Sequence, residues 1–138
     1  MERIKVILVD NDPDELFFME KGFEASDRYA IIAQCSGWPQ LKEFIQHADE
    51  LPDLIITDLN MPGKNGVDIA SMIHSNPAYN AIKVVVLSIT TGDNNKGVQA
   101  NLSGSSLFIP KPSSLLEYES FAIDLYEKIN IDVFNSRR

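Results

Sequence analysis

Short β-branched runs alternate along this chain with longer segments whose apolar positions recur every three or four residues. The runs lie at Ile4–Val9, Tyr29–Cys35, Leu54–Thr57, Lys83–Ser88 and Leu107–Ile109. The first and fourth are almost continuously apolar, as expected of parallel strands covered on both faces. Between the runs, Pro13–Ala25 places Leu16, Met19, Glu20 and Phe23 on one helical stripe. Asp12 precedes it as a candidate N-cap, Pro13 takes the first helical position, and Asp14 and Glu15 face the positive end of the helix dipole. Gln40–Ala48 carries Leu41, Phe44 and Ile45, and Val67–His74 carries Ile69, Met72 and Ile73. The last segment opens on Ser114-Leu115-Leu116-Glu117, a capping-box spacing, and its stripe runs through Leu115, Tyr118, Ala122, Leu125 and Ile129. A fourth helical segment is weak. Gly92-Asp93-Asn94-Asn95-Lys96-Gly97 precedes only Val98, Ala100 and Leu102, and Ser103-Gly104-Ser105-Ser106 follows, so a short, mobile helix is expected there. Five β-α units in this order predict an α/β fold, a doubly wound five-stranded parallel sheet.

Composition narrows the classes of function. At 138 residues the chain fits one domain with a sizeable core, and 44% hydrophobic with 23% charged residues is an ordinary globular balance. Twelve Lys and Arg against 20 Asp and Glu leave a net charge of −8, which argues against a surface that tracks nucleic acid or anionic lipid. The single cysteine, Cys35, excludes a disulfide scaffold and a cysteine-based zinc site, and reads as buried and inert. No apolar run approaches the roughly 20 residues a spanning helix needs. Asp10 interrupts the first apolar run too early for a signal peptide, so a cytoplasmic location is expected.

In open α/β sheets ligands gather at the carboxyl ends of the strands, beside the point where strand order reverses. The residues expected there are Asp10-Asn11-Asp12, Asp58, Ser88 and Lys111-Pro112. Together they supply oxygen ligands for a hard divalent cation, a carboxylate nucleophile, a hydroxyl and an ammonium, a set suited to phosphoryl transfer. Asp10, Asp12 and Asp14 also imitate the start of a calcium loop, but Glu15 stands where such a loop needs Gly and Lys21 where it needs Glu. His47 and His74 lie on separate helices with no metal-ligand spacing between them and read as solvated. Trp38, between Gly37 and Pro39, reads as a packing residue in a loop or at a helix start.

The string Asp58-Leu59-Asn60-Met61-Pro62-Gly63-Lys64-Asn65-Gly66 closely resembles the phosphoacceptor loop of CheY-like response-regulator receiver domains. The likeness extends to Ser88 thirty residues on and Lys111 fifty-three residues on, and covers essentially the whole chain. It implies a flavodoxin-like (βα)5 three-layer sandwich with Asp58 as acceptor of a phosphoryl group from a sensor histidine kinase or phosphotransfer protein. It implies Mg2+ held by Asp10, Asn11, Asp58 and the main-chain carbonyl of Asn60. Ser88 and Lys111 would each meet a phosphoryl oxygen, Ser88 and Phe108 would form the switch, and the Lys111–Pro112 peptide would be cis. Such a protein is a phosphoprotein that assists its own phosphorylation and dephosphorylation and otherwise works through a downstream protein target, not as an enzyme.

Three departures from the family pattern bear on this. Asn11 stands where a second acid is usual, so magnesium should bind more weakly. Ile89 follows Ser88 where a small residue is usual, and should shield a phosphorylated Asp58 from water. The switch aromatic is Phe108 rather than Tyr. Residues 1–130 are expected to form the receiver and 131–138 a short tail; with 26 residues after Pro112, no output domain is expected. The face built from the fourth helical segment, the fifth strand and the last helix is a possible homodimer surface. Two alternatives stay open: a degenerate receiver signalling without phosphate because of Asn11, and a haloacid dehalogenase-type phosphatase using Asp10 as the nucleophile of an Asp10-Asn11-Asp12 motif.

Overall fold

The computed structural model describes residues 3–88 and 106–136. In chain order the elements are β1 (Ile4–Val9), α1 (Pro13–Ser26), β2 (Tyr29–Cys35), α2 (Trp38–His47), β3 (Leu54–Asp58), α3 (Gly66–Ser75), β4 (Lys83–Ser88), β5 (Ser106–Pro110) and α4 (Leu115–Ser136). The strands form one five-stranded sheet in the order β2-β1-β3-β4-β5, and every pairing is parallel. The expected doubly wound α/β sandwich is therefore the fold observed. The weak fourth helical segment and Ile89 lie outside the described residues. No helix among the described residues is long and apolar enough to cross a membrane.

Side chains alternate across the strands and sort into two buried clusters, one on each face of the sheet. Ile4, Val6 and Leu8 of β1, with Leu54 and Ile56 of β3, meet Met19 and Phe23 of α1 and Tyr118, Ala122, Leu125 and Ile129 of α4. Ile7, Val9, Ile55, Val84 and Val86 meet Leu41 and Ile45 of α2 and Ile69, Ala70 and Ile73 of α3. Truncating one of these leucines or isoleucines to Ala removes about 2–5 kcal/mol. Tyr29 crosses the first face, and its hydroxyl is satisfied there by donating to the Ala122 carbonyl at 2.8 Å.

Local chemistry sets the helix starts. Asp12 caps α1, its carboxylate accepting from the Asp14 amide at 2.9 Å, with Pro13 at the first turn as the sequence predicts. Asn65 and Asp68 form a full capping box at the head of α3, which therefore begins at Gly66, one residue before the apolar pattern does. α2 likewise begins at Trp38, with Pro39 in its first turn. At α4 the Ser114 hydroxyl accepts from the Glu117 amide at 3.2 Å, but the Glu117 carboxylate reaches back one residue further than the spacing suggests, to the Ser113 amide at 2.8 Å.

Several expectations are corrected. Leu115 is 43% exposed and not part of the α4 stripe, because the first turn of that helix projects beyond the core. His74 is half-buried, and burial holds its imidazole below the ordinary histidine range; His47 is exposed as expected. The Lys111–Pro112 peptide is trans, there being no cis peptide among the described residues. Even before proline the trans form is favoured by about 0.5–1 kcal/mol.

A candidate phosphoryl-acceptor site

Because all five strands run the same way, the chain leaves β1, β3, β4 and β5 on one rim. Val9 is in register with Thr57, so Asp10 and Asp58 follow side by side on the two neighbouring strands. Asp58 is in register with Leu87, and Ser88 with Pro110, which brings Ser88 and Lys111 next in line. Main-chain bonds carry the ladder past the strand ends. The Leu59 amide donates to the Leu87 carbonyl at 2.8 Å, and the Lys111 amide to the Ser88 carbonyl at 2.7 Å. Every strand-end residue singled out from the sequence thus arrives at one place.

Lys111 links the acids. Its Nζ lies 3.2 Å from Asp10 Oδ2, 3.4 Å from Asp58 Oδ1 and 3.8 Å from Glu15 Oε2. The two aspartates and Ser88 are buried. Burial pushes the Asp10 carboxyl above the usual range, although the Asp12 amide, donating to Asp10 Oδ1 at 2.9 Å, and the Lys111 ammonium both oppose it. Asp58 is raised by burial and then by the negative charge of Asp10, and Lys111 only partly offsets these. Burial pulls the Lys111 ammonium down, but Asp10 and Asp58 together outweigh that and hold it above the ordinary lysine value. Among the described residues one cation faces two desolvated carboxylates, which it compensates only in part.

The loop after β3 is folded tightly under the acceptor. The Gly66 amide donates to the Leu59 carbonyl at 3.0 Å. A Cβ at position 66 would lie 2.7 Å from the Asp58 carbonyl oxygen and 2.8 Å from Val86 Cγ1, so only Gly fits. Asn11 and Asn60 sit on the rim, exposed, and Asp12 is occupied as the α1 cap. Phe108 is 8% exposed and packs in the cluster beneath α2 and α3.

The donor set suits a hard divalent cation: two buried carboxylates that Lys111 compensates only in part, with further oxygens at the rim. No group of three His, Cys, Asp or Glu side chains among the described residues could hold a metal ion. A cation there would therefore draw on main-chain or amide oxygens besides Asp10 and Asp58.

Two residues at the site were not legible as site residues in the sequence. Glu15 reads as an ordinary first-turn acid, and Tyr118 as part of an apolar stripe. Yet the Tyr118 hydroxyl donates to Glu15 Oε2 at 2.7 Å, and that carboxylate faces Lys111. A tyrosine on a core stripe needs a partner for its hydroxyl, which was the available signal.

The model of the response regulator receiver domain matches residues 6–120. The chain belongs to that family. Over 110 residues it is 34% identical to the putative two-component response regulator ARR21 of Arabidopsis thaliana, a match covering 80% of this chain and 17% of that protein. A second relative, the nitrate/nitrite response regulator protein homolog of Haemophilus influenzae, is 27% identical over 84% of this chain and 55% of its own length. The receiver thus spans well under two thirds of these relatives. Among solved structures, the response regulatory domain of mrkE from Klebsiella pneumoniae superposes with a TM-score of 0.74 at 20% identity, over 96% of this chain and 99% of that one. The Mn(2+)-bound form of response regulator Rcp1 superposes at 0.65 and 19% identity, over 90% and 92%. Receiver domains are signalling domains that interact with histidine kinases and downstream effectors.

Proposed function

We propose that this receiver accepts a phosphoryl group on Asp58 from a phosphohistidine of a kinase or phosphotransfer protein, and passes the change on through protein contacts. A carboxylate oxygen of Asp58 attacks phosphorus in line; the P–N bond breaks and the imidazole nitrogen keeps the electron pair. The observation that supports this reading is the Lys111 ammonium, partly buried and within reach of both Asp10 and Asp58. That ammonium would pair with a phosphoryl oxygen, where the negative charge of the transferred group resides. Ser88 ends β4, the strand paired with β3, and its hydroxyl would donate to a second phosphoryl oxygen. Asp10, Asp58 and the main-chain carbonyl of Asn60, with Asn11 as a neutral fourth donor, would hold Mg2+. When bound, the ion neutralises phosphoryl charge; the Mn(2+)-bound relative supports a divalent ion here. Phe108 would act with Ser88 as the switch. The phosphatase alternative needs Asp12 as its second acid, and that carboxylate caps α1.

Incubation with acetyl phosphate and Mg2+, followed by intact mass, tests the proposal. One phosphoryl adduct in the wild type, absent in Asp58→Ala and present in Asp12→Ala, is expected. An adduct retained in Asp58→Ala and lost in Asp10→Ala would establish the phosphatase-type nucleophile instead. No adduct at millimolar Mg2+ would leave a receiver that signals without phosphate.

A further inference from the structure

Lys111 has a third acidic neighbour that the acceptor chemistry does not require. Glu15, in the first turn of α1, places Oε2 3.8 Å from the Lys111 ammonium and accepts the Tyr118 hydroxyl at 2.7 Å on the same oxygen. Tyr118 is 1% exposed, locked between α1 and α4. Its close seat depends on Gly22, where a Cβ would lie 2.5 Å from the Tyr118 Cβ and 2.9 Å from its main-chain carbon. Gly22 is seven residues after Glu15, two turns along the same face of α1. One seam of two helices therefore supplies the close approach, the hydroxyl and the carboxylate. A phenol buried there remains a hydrogen-bond donor, since burial and Glu15 both push its ionisation upward.

We propose that Glu15, fixed by the Tyr118 hydroxyl, positions the Lys111 ammonium by drawing it partly away from Asp58, so that the acceptor oxygen stays available and the ammonium stays free to meet the incoming phosphoryl group. Glu15 and Tyr118 are positioning residues; neither touches the reacting atoms. The inference rests on Asp58 being the phosphoacceptor. Without the Glu15 charge, the acids left to the ammonium among the described residues are the two buried aspartates, and it masks the nucleophile. Loss of such an orienting contact commonly costs about tenfold or more in rate or affinity.

The test is the second-order rate constant for phosphorylation of the full chain by acetyl phosphate with Mg2+. It is measured for Glu15→Gln, which keeps shape and removes charge, and for Tyr118→Phe, which keeps the ring and removes the donor. Each is expected to slow phosphorylation by about tenfold, and the double variant by no more than either alone, because both act through one contact. Both substitutions are then repeated in Lys111→Ala, where the residual rate is expected to move less than twofold. Unchanged rates in the single variants overturn the proposal. So does an equal slowing in the Lys111→Ala background, which assigns these residues to packing alone. A wild type that gains no phosphoryl group, or gains it elsewhere than Asp58, overturns the underlying reading too and is recognised at once by intact mass.

Discussion

Tyr118 lies so close to Gly22 that a Cβ at position 22 would come within 2.5 Å of its own Cβ and 3.0 Å of the next amide nitrogen, that of Glu119. Helix propensity alone favours Ala over Gly by about 1 kcal/mol. Overpacking against backbone costs about 1–3 kcal/mol, and the atoms met here are not flexible side-chain ends. The clash outweighs the propensity gain, so Gly22→Ala is expected to lower stability by up to about 2 kcal/mol, read as a lower urea midpoint at unchanged slope. A gain in stability would mean that α1 and α4 separate freely.

At Gly66 the conflict is with the site itself. A Cβ there would stand 2.7 Å from the Asp58 carbonyl oxygen and 2.8 Å from Val86 Cγ1. Gly66→Ala is expected to cost about 2–3 kcal/mol and to suppress phosphorylation. Adding Val86→Ala makes room on one side only. Phosphorylation should stay low in the double variant, because the clash with the Asp58 carbonyl remains.

Cys35 is 3% exposed, and burial pushes its thiol from 9.0 up to about 11. Between those values the unfolded chain releases the proton while the folded chain keeps it, so stability falls as pH rises through that window; below it the contribution is complete. The urea midpoint of the wild type should drop more steeply from pH 9.0 to about 11, the window between those two values, than that of Cys35→Ala. At pH 8 the folded protein should leave a thiol reagent unreacted until urea is added. Rapid labelling of the native state would contradict this burial.

Asn11 sits exposed on the rim beside the buried pair Asp10 and Asp58. Asn11→Asp adds one unit charge near the proposed cation and is expected to tighten Mg2+ binding about tenfold. Asp10→Asn should weaken it by at least as much. Calorimetric titration reads both, and an Asn11→Asp affinity equal to wild type would place the ion away from this corner.

Five strands and the helices α1, α2, α3 and α4 were legible because β-branched runs and three-to-four spacing report burial directly. The strand-end residues Asp10, Asp58, Ser88 and Lys111 were legible because parallel strands bring their carboxyl ends together whatever lies between. The errors fall where burial pattern is silent. The heads of α2 and α3 are set by Trp38-Pro39 and by the Asn65–Asp68 box, which are polar or turn chemistry and carry no apolar period. Leu115 fits the stripe by spacing yet is exposed, because spacing says nothing about where the core ends. Glu15 and Tyr118 meet across 103 positions, and nothing local in either helix encodes that meeting.

The acid pair sits immediately beyond the matched residues Val9 and Thr57 on adjacent strands. Its spacing is thereby a ruler made of peptide hydrogen bonds, the roughly 4.8 Å repeat of neighbouring strands. Loops around the rim can lengthen, shorten or change sequence without altering that interval. The groups around it, the Asn11 amide and the Glu15 carboxylate, are set on that ruler by the loop and helix that follow β1, while the main-chain spacing beneath Asp10 and Asp58 belongs to the sheet.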